Sequence, residues 1–123
     1  MALHTPELLE HFQHPRNVGQ LPAPAITVDV SNPACGDMMR LAARFENGRI
    51  VETRYQVRGC TASIAAGSAL TEWLSGKSST ELSSDAVRTA IDQALGGLPS
   101  ASTHVAVLCA DAVKALVSKS AVS

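Results

Sequence analysis

The sequence predicts a fold in which helices accompany three antiparallel β-strands. Apolar and polar residues alternate in three segments between residues 26 and 57, which is the period-two pattern of half-buried strands. The Asn47-Gly48 pair lies between the second and third segments. It is a strong hairpin signal, because both central residues of a type I′ turn need a positive φ angle. We therefore expect the second and third strands to pair directly.

Each predicted strand is expected to place its apolar residues on one face of the sheet. The first strand covers residues 26–31, the second covers residues 38–45 and the third covers residues 50–57. The residues expected on a common face are Ile26, Val28 and Val30 in the first strand, Met39, Leu41, Ala43 and Phe45 in the second, and Val51, Thr53, Tyr55 and Val57 in the third.

Capping residues and apolar spacing predict the helices. Thr5 and Pro6 suit the N-cap and the first position of a short helix that ends before His14. A helix rich in small residues is predicted over residues 61–73, and Gly76 suits its C-terminal cap. Two short helical segments at residues 78–81 and 85–95, and a final helix over about residues 104–117, complete the prediction.

Length, composition and charge narrow the class of protein. With 123 residues the chain suits one domain with a modest core, so residues 1–123 are predicted to form a single domain. Only 3% of the residues are aromatic, and we expect Ala, Val and Leu to fill the interior. The net charge is −1 without a Lys/Arg cluster, which argues against nucleic-acid partners. No apolar run approaches the roughly 20 residues that cross a bilayer, so we expect a cytoplasmic protein without a membrane partner.

Side chains that bind metals occur at the ends of the predicted elements. Cys35 and Asp37 precede the second strand. Cys60 lies between the third strand and the next helix, and His104 begins the final helix. Such ends can converge at one rim of a domain and leave a metal partly exposed. Three cysteines cannot all pair internally, so we favour a labile metal or metal–sulfur site over a disulfide.

Each of these residues alone has a more common structural explanation. A lone Cys is most often a small buried apolar residue, an Asp after Gly usually belongs to a turn, and a His beside an apolar helix is more often a cap. The order of the residues carries more information than any one of them. Gly36 and Gly59 each stand beside a thiol and strengthen the prediction of a metal site, because glycine allows the backbone to approach a metal or cluster closely.

Four motifs together resemble one known family. They are HPRNVG at residues 14–19, NPACGDM at residues 32–38, RGCTASIA at residues 58–65 and LTEWLSGK at residues 70–77. In this order, over nearly the whole chain, they are similar to the N-terminal scaffold domains of the IscU/NifU family. The resemblance implies an α+β fold in which helices pack on one face of a three-stranded antiparallel sheet.

The resemblance also implies a function and a ligand set. Family members assemble a transient [2Fe-2S] cluster from iron and from sulfur that a cysteine desulfurase delivers, pass it to apoproteins, and often bind Zn²⁺ at the same site. The expected partners are thus a cysteine desulfurase, an iron or electron donor protein and apoprotein acceptors, and the expected role is that of a scaffold instead of an enzyme. By motif position, the residues that would hold iron, the cluster or Zn²⁺ are Cys35, Asp37, Cys60 and His104.

The chain departs from the family pattern beside His104. The family has a third cysteine directly after this histidine, whereas here Val105 follows it and Cys109 comes one helical turn later. We expect Cys109 in the core, because it borders the apolar stripe of the final helix; the alternative is that a shifted helix brings its sulfur to the site. The stripe consists of Val105, Leu108, Ala112 and Leu116.

The chain departs from the family pattern a second time at residues 98–102. Residues 98–102 are LPSAS, where many family members carry an LPPVK segment bound by a dedicated chaperone, which argues against a chaperone partner.

One alternative function is a zinc-binding, non-scaffold or regulatory relative whose sulfur acceptance is impaired by Val105. The other is a thiol enzyme with Cys60 or Cys35 as nucleophile, His104 as base and Asp37 as the residue that orients the base.

Overall fold

A computed structural model describes residues 4–32, 36–98 and 102–122, with side chains described up to residue 120. The predicted strands and helices are all present in this part of the chain, and the last helix continues beyond the expected residue 117. That residues 1–123 form a single domain stays a prediction. The elements are α1 (Pro6–Gln13), β1 (Ile26–Ser31), β2 (Met38–Glu46), β3 (Arg49–Arg58), α2 (Thr61–Leu74), a 3-10 turn (Ser79–Glu81), α3 (Ser84–Ala94) and α4 (Thr103–Val122).

The three strands form one antiparallel sheet in the order β1-β2-β3. The hairpin between β2 and β3 turns at Asn47 and Gly48, whose φ angles are 53° and 77°. Glu46 and Arg49 pair directly across it, so the loop has two residues. The predicted turn is confirmed, because this is the backbone conformation that the Asn-Gly pair favours.

A β-bulge beside this hairpin corrects the predicted face of Val51. Arg44 pairs with Glu52, whereas its neighbour Phe45 pairs with Ile50, so β3 has one extra residue there. Beyond the bulge the alternation shifts by one position, which buries Ile50 and leaves Val51 44% exposed. The prediction that Val51 shares the inner face with Thr53 is therefore wrong.

Helices pack on one face of the sheet, and the opposite face is exposed in part. On the inner face Met39, Leu41 and Tyr55 are buried, while Met38 and Arg40 on the opposite face are exposed. Helix α2 packs against β3, and helix α4 packs against β1 and β2. Helix α1 contacts α2, and helix α3 contacts both α4 and α2. The α+β fold expected from the resemblance is confirmed. None of the described helices, α4 included, has the apolar length that spanning a bilayer requires.

Small residues let α2 approach the sheet closely. A Cβ atom added at Gly67 would lie 2.3 Å from ring carbons of Tyr55, so only glycine leaves room for this ring. The Tyr55 hydroxyl donates a hydrogen bond to the backbone oxygen of Ile64 at 2.8 Å. This contact fixes α2 relative to β3, and thus the position of Cys60, which links the two elements.

The HPRNVG segment lies along the free edge of β3. The Tyr55 backbone N–H donates to the Asn17 oxygen at 2.9 Å, and the Gly19 N–H donates to the Tyr55 oxygen at 3.0 Å. The Arg16 N–H donates to the hydroxyl of Ser68 in α2 at 2.9 Å. These bonds join the segment to both α2 and the edge of β3. The segment therefore covers part of this edge, whose backbone groups would otherwise be unpaired.

Candidate metal centre

Three of the four predicted ligands meet at one end of the sheet. Asp37 immediately precedes β2, Cys60 links β3 to α2, and His104 lies in the first turn of α4. One donor atom from each lies within 4.8 Å of the other two. Residues that are far apart in the sequence are therefore brought together by the ends of three different elements, as predicted.

The Asp37 carboxylate is the centre of this group. Its Oδ2 atom accepts a hydrogen bond from the Cys60 thiol, with a Sγ to Oδ2 distance of 3.4 Å. The same oxygen lies 3.5 Å from Nε2 of His104. Both distances match the edge of a tetrahedron with metal–ligand bonds of about 2.0–2.3 Å, for which ligand atoms are about 3.3–3.8 Å apart. These two spacings suit tetrahedral coordination, and the sulfur and the imidazole nitrogen lie within 4.8 Å of each other.

Backbone geometry places Asp37 at the start of β2. The Gly36 N–H donates to the Asn32 oxygen at 2.7 Å, and the Asn32 N–H donates to the Asp37 oxygen at 2.8 Å. Gly36 has a φ angle of 78°, a backbone conformation that residues other than glycine rarely adopt. The chain can thus reverse here and direct the Asp37 side chain inward, where the residue is only 5% exposed.

Cys60 is the N-cap residue of α2 and has an extended backbone. Its carbonyl oxygen accepts from the N–H groups of Ser63 and Ile64, each at 3.1 Å. The thiol takes no part in capping and is free to face Asp37. Because Cys60 is exposed, its sulfur is open to an incoming ion or to a partner protein.

His104 is held at the rim by the helix to which it belongs. Val105 and Leu108 are buried in the core and anchor the first turns of α4. The His104 side chain remains 29% exposed, compared with 7% for Asp37. The three donors thus form a site that is buried on the carboxylate side and open on the sulfur and imidazole side.

Cys109 does not belong to this group. The residue is fully buried in the core, and burial raises the pKa of its thiol to about 12. Burial likewise raises the pKa of the nearby Tyr55 hydroxyl to about 12, and Cys109 adds to that shift. The prediction that Cys109 is a core residue is confirmed. At the position of the family's third cysteine, this chain has the fully buried Val105.

Two predicted features fall outside the described residues. Cys35, the fourth predicted ligand, belongs to the undescribed segment 33–35. Within the LPSAS segment, residues 99–101 are likewise not described. The assignment of Cys35 as a ligand and the argument against a chaperone partner both stay predictions.

Ser63 lies beside the site and was not predicted from the sequence. Its hydroxyl donates to the Cys60 carbonyl at 2.8 Å and the residue is fully buried. A serine three residues after an N-cap position is a recognisable local signal for such a bond. Only the folded structure shows that this hydroxyl also lies over Gly59, next to Asp37.

The order of contacts differs from that of a thiol enzyme. A nucleophilic cysteine is activated by a direct hydrogen bond to its base, which a third group orients. Here the hydrogen bond of the Cys60 thiol goes to Asp37, and Asp37 lies between the thiol and His104. The geometry therefore favours joint coordination by the three side chains over a Cys–His pair.

Comparison with known proteins identifies the family. The model of the family described as NifU-like N terminal domain matches residues 3–121. The iron-sulfur cluster assembly scaffold protein IscU of Azotobacter vinelandii is 38% identical over 115 residues, covering 90% of this chain and 88% of that protein. The iron-sulfur cluster assembly enzyme IscU of Drosophila melanogaster is 40% identical over 119 residues, covering 94% of this chain and 76% of that protein.

A solved structure supports the same grouping at the level of the fold. The N-terminal part of a nitrogen-fixing NifU-like protein from Brucella abortus has a TM-score of 0.73 to this chain at 21% identity, covering 93% of this chain and 91% of that one. The resemblance seen in the four motifs is thereby confirmed. The chain belongs to the family of NifU-like N-terminal domains.

Proposed function

We propose that this protein is an iron-sulfur cluster assembly scaffold. It binds iron, holds a transient [2Fe-2S] cluster and passes the cluster to apoproteins. The observation that carries the proposal is the convergence of Asp37, Cys60 and His104 at one accessible rim, in a chain whose relatives are named as scaffold proteins.

The ligand types suit a cluster that must be released again. Two irons need four protein ligands in total, and we propose Cys35, Asp37, Cys60 and His104 for this role. Thiolates bind iron–sulfur units strongly, imidazole is a borderline ligand, and a carboxylate is a harder and more weakly held one. A mixed set at an open rim therefore holds a cluster without trapping it. The same donors suit Zn²⁺, which we propose as a competing ion.

Sulfur has to arrive on an accessible thiol. Cys109 is buried, and Val105 occupies the position after His104, so neither provides one. Of the cysteines that the structure describes, the exposed Cys60 can receive sulfur, and Cys35 is the other candidate. In this step a thiolate attacks the outer sulfur of a desulfurase persulfide, a new S–S bond forms, and the desulfurase thiolate leaves. The scaffold thus carries the sulfur without itself turning over a substrate.

The proposed partners follow from this chemistry. They are a cysteine desulfurase that presents the persulfide, an iron or electron donor protein, and apoproteins that accept the cluster. Both steps need reduced thiols, so we propose a reducing compartment such as the cytoplasm.

Anaerobic reconstitution tests the proposal. Protein stripped of metal with a chelator is mixed with ferrous iron, cysteine, a cysteine desulfurase and dithiothreitol, which reduces the delivered persulfide sulfur to sulfide, and visible absorbance and circular dichroism are recorded. We expect sulfur-to-iron charge-transfer bands, followed by loss of these bands as an apo-ferredoxin acquires the cluster. A protein that forms no bands under these conditions would contradict the proposal.

Two variants that each remove one thiol distinguish the role of Cys60 at the site from that of Cys109 in the core. Cys60→Ser removes the exposed thiol beside Asp37, and we expect it to abolish the bands. Cys109→Ser removes a buried thiol and should retain them, measured at a temperature where both variants are folded. Equal cluster formation by the two variants would contradict the assignment of Cys60.

A further inference from the structure

The Asp37 carboxylate occupies space that is available only because residue 59 is glycine. A Cβ atom built on Gly59 would lie 2.7 Å from both Cγ and Oδ1 of Asp37, and 2.6 Å from the Ser63 hydroxyl oxygen. Contacts this short are well inside van der Waals distance. An alanine at this position would therefore displace the carboxylate, the hydroxyl or both.

Backbone conformation does not explain this glycine. Gly36 has a positive φ angle and open space around a hypothetical Cβ, so its requirement is conformational. Gly59 has no positive φ angle, and its requirement is spatial. The two glycines of the site thus act differently on the same residue: Gly36 turns the chain before Asp37, and Gly59 leaves room for its carboxylate.

The occupied space determines what Asp37 can contact. With Oδ1 against Gly59, the other oxygen reaches the Cys60 thiol at 3.4 Å and His104 Nε2 at 3.5 Å. The Asp37 side chain has few alternative conformations, since the residue is only 5% exposed. A shift of about 1 Å, enough to restore normal contact with a Cβ atom, would move Oδ2 relative to the sulfur and the imidazole, and we expect at least one of the two distances to lengthen.

We propose that Gly59 is a positioning residue of the metal centre, which lets one Asp37 oxygen face the sulfur and the imidazole together. The inference rests on the proposed function in taking Asp37, Cys60 and His104 as ligands. It assigns to Gly59 no contact with the metal, and its effect passes through Asp37 alone.

The first test is structural and needs no metal. Gly59→Ala is made in a Ser63→Ala background, so that the Asp37 contact is the remaining short one, and Ser63→Ala alone is the control. Crystal structures of both metal-free proteins are compared. We expect Asp37 Oδ2 to lie beyond 4 Å from Cys60 Sγ or from His104 Nε2 only in the protein with alanine at position 59. Unchanged contacts would overturn the proposal.

The second test is a double-mutant cycle of Gly59→Ala and Asp37→Ala, made throughout in Ser63→Ala protein so that the Ser63 hydroxyl cannot clash, with Co²⁺ as probe. Loss of a supporting residue typically weakens metal binding about 10- to 100-fold, and we expect a loss of this size for Gly59→Ala with d–d bands shifted toward those of Asp37→Ala. In the Asp37→Ala background the same substitution should have almost no effect, because the clashing atoms are gone. An equal loss in both backgrounds would overturn the proposal.

These tests also decide the outcome if Gly59→Ala does not fold. The proposal then requires Asp37→Ala to restore folding in the Ser63→Ala background, and failure to restore it would overturn the proposal. The result is separable from that of cluster assembly. If reconstitution with iron and sulfur fails, or Co²⁺ binds weakly, the metal-free structures still show whether Gly59 positions Asp37.

Discussion

Burial of Cys109 predicts a loss of stability in alkaline solution. The folded protein raises the pKa of this thiol from 9.0 to about 12, because the fully buried site disfavours the thiolate. In the unfolded chain the thiol ionises near 9.0. Below that pH both states hold the proton and the contribution is constant. Above it the unfolded state loses the proton first, so the free energy of unfolding falls as the pH rises from 9 toward 12.

The size of the effect follows from the pKa difference. Each pH unit between the two pKa values removes about 1 kcal/mol from the free energy of unfolding. Raising the pH from 8 to 10 crosses about one such unit, so Cys109 should account for a loss of about 1 kcal/mol. Tyr55 contributes in the same direction, but its pKa rises from 10.0 and its part begins at higher pH.

Urea unfolding of metal-free, reduced protein at pH 8 and pH 10 measures this loss. Cys109→Ala is the control, since it removes the buried thiol and leaves the other ionisable groups in place. We expect the unsubstituted protein to lose about 1 kcal/mol more than Cys109→Ala between the two pH values. Peptide mapping after brief iodoacetamide treatment at pH 8 should find Cys60 alkylated and Cys109 intact. Equal pH dependence of the two proteins, or rapid alkylation of Cys109, would refute the reasoning.

Two further predictions concern the carboxylate ligand and the contact between α2 and the sheet. Asp37→Ala should slow cluster loss several-fold, because it removes the side chain that we propose as the hard and weakly held ligand. The decay of visible absorbance and the transfer to an apo-ferredoxin measure this rate, and a faster decay would contradict the prediction. Gly67→Ala should lower the free energy of unfolding by about 1–2 kcal/mol, since a methyl group 2.3 Å from the Tyr55 ring outweighs the gain in helix propensity. Thermal unfolding measures this loss of stability. The loss should disappear in a Tyr55→Leu background, where the ring is absent. An unchanged Tm for Gly67→Ala in the protein that retains Tyr55 would contradict the packing argument.

Local rules predicted the elements well because the deciding interactions are local. Asn47 and Gly48 set a turn through their own φ angles, and Thr5 caps α1 by accepting from the N–H of Leu8 three residues later. Neither effect depends on distant residues. The apolar stripe of α4 is similar, since residues at helical spacing share a face in any helix.

Predictions failed or stayed incomplete where a second element decides the outcome. The exposure of Val51 follows from a register shift against β2, which period-two alternation within β3 does not reveal. The bond from the Ser63 hydroxyl to the Cys60 carbonyl is local, but the approach of Asp37 to the same point above Gly59 comes from β2, a separate element.

The sequence by itself determined the order of strands and helices and the family, and it supplied the candidate ligands, because each is carried by the identity and spacing of residues along the chain. Only the tertiary structure decided that Asp37 shares one oxygen between Cys60 and His104, and that Cys60 is accessible while Cys109 is buried. The physical reason is that distances and solvent exposure arise from packing between elements, and a tight core fixes both to within about an ångström.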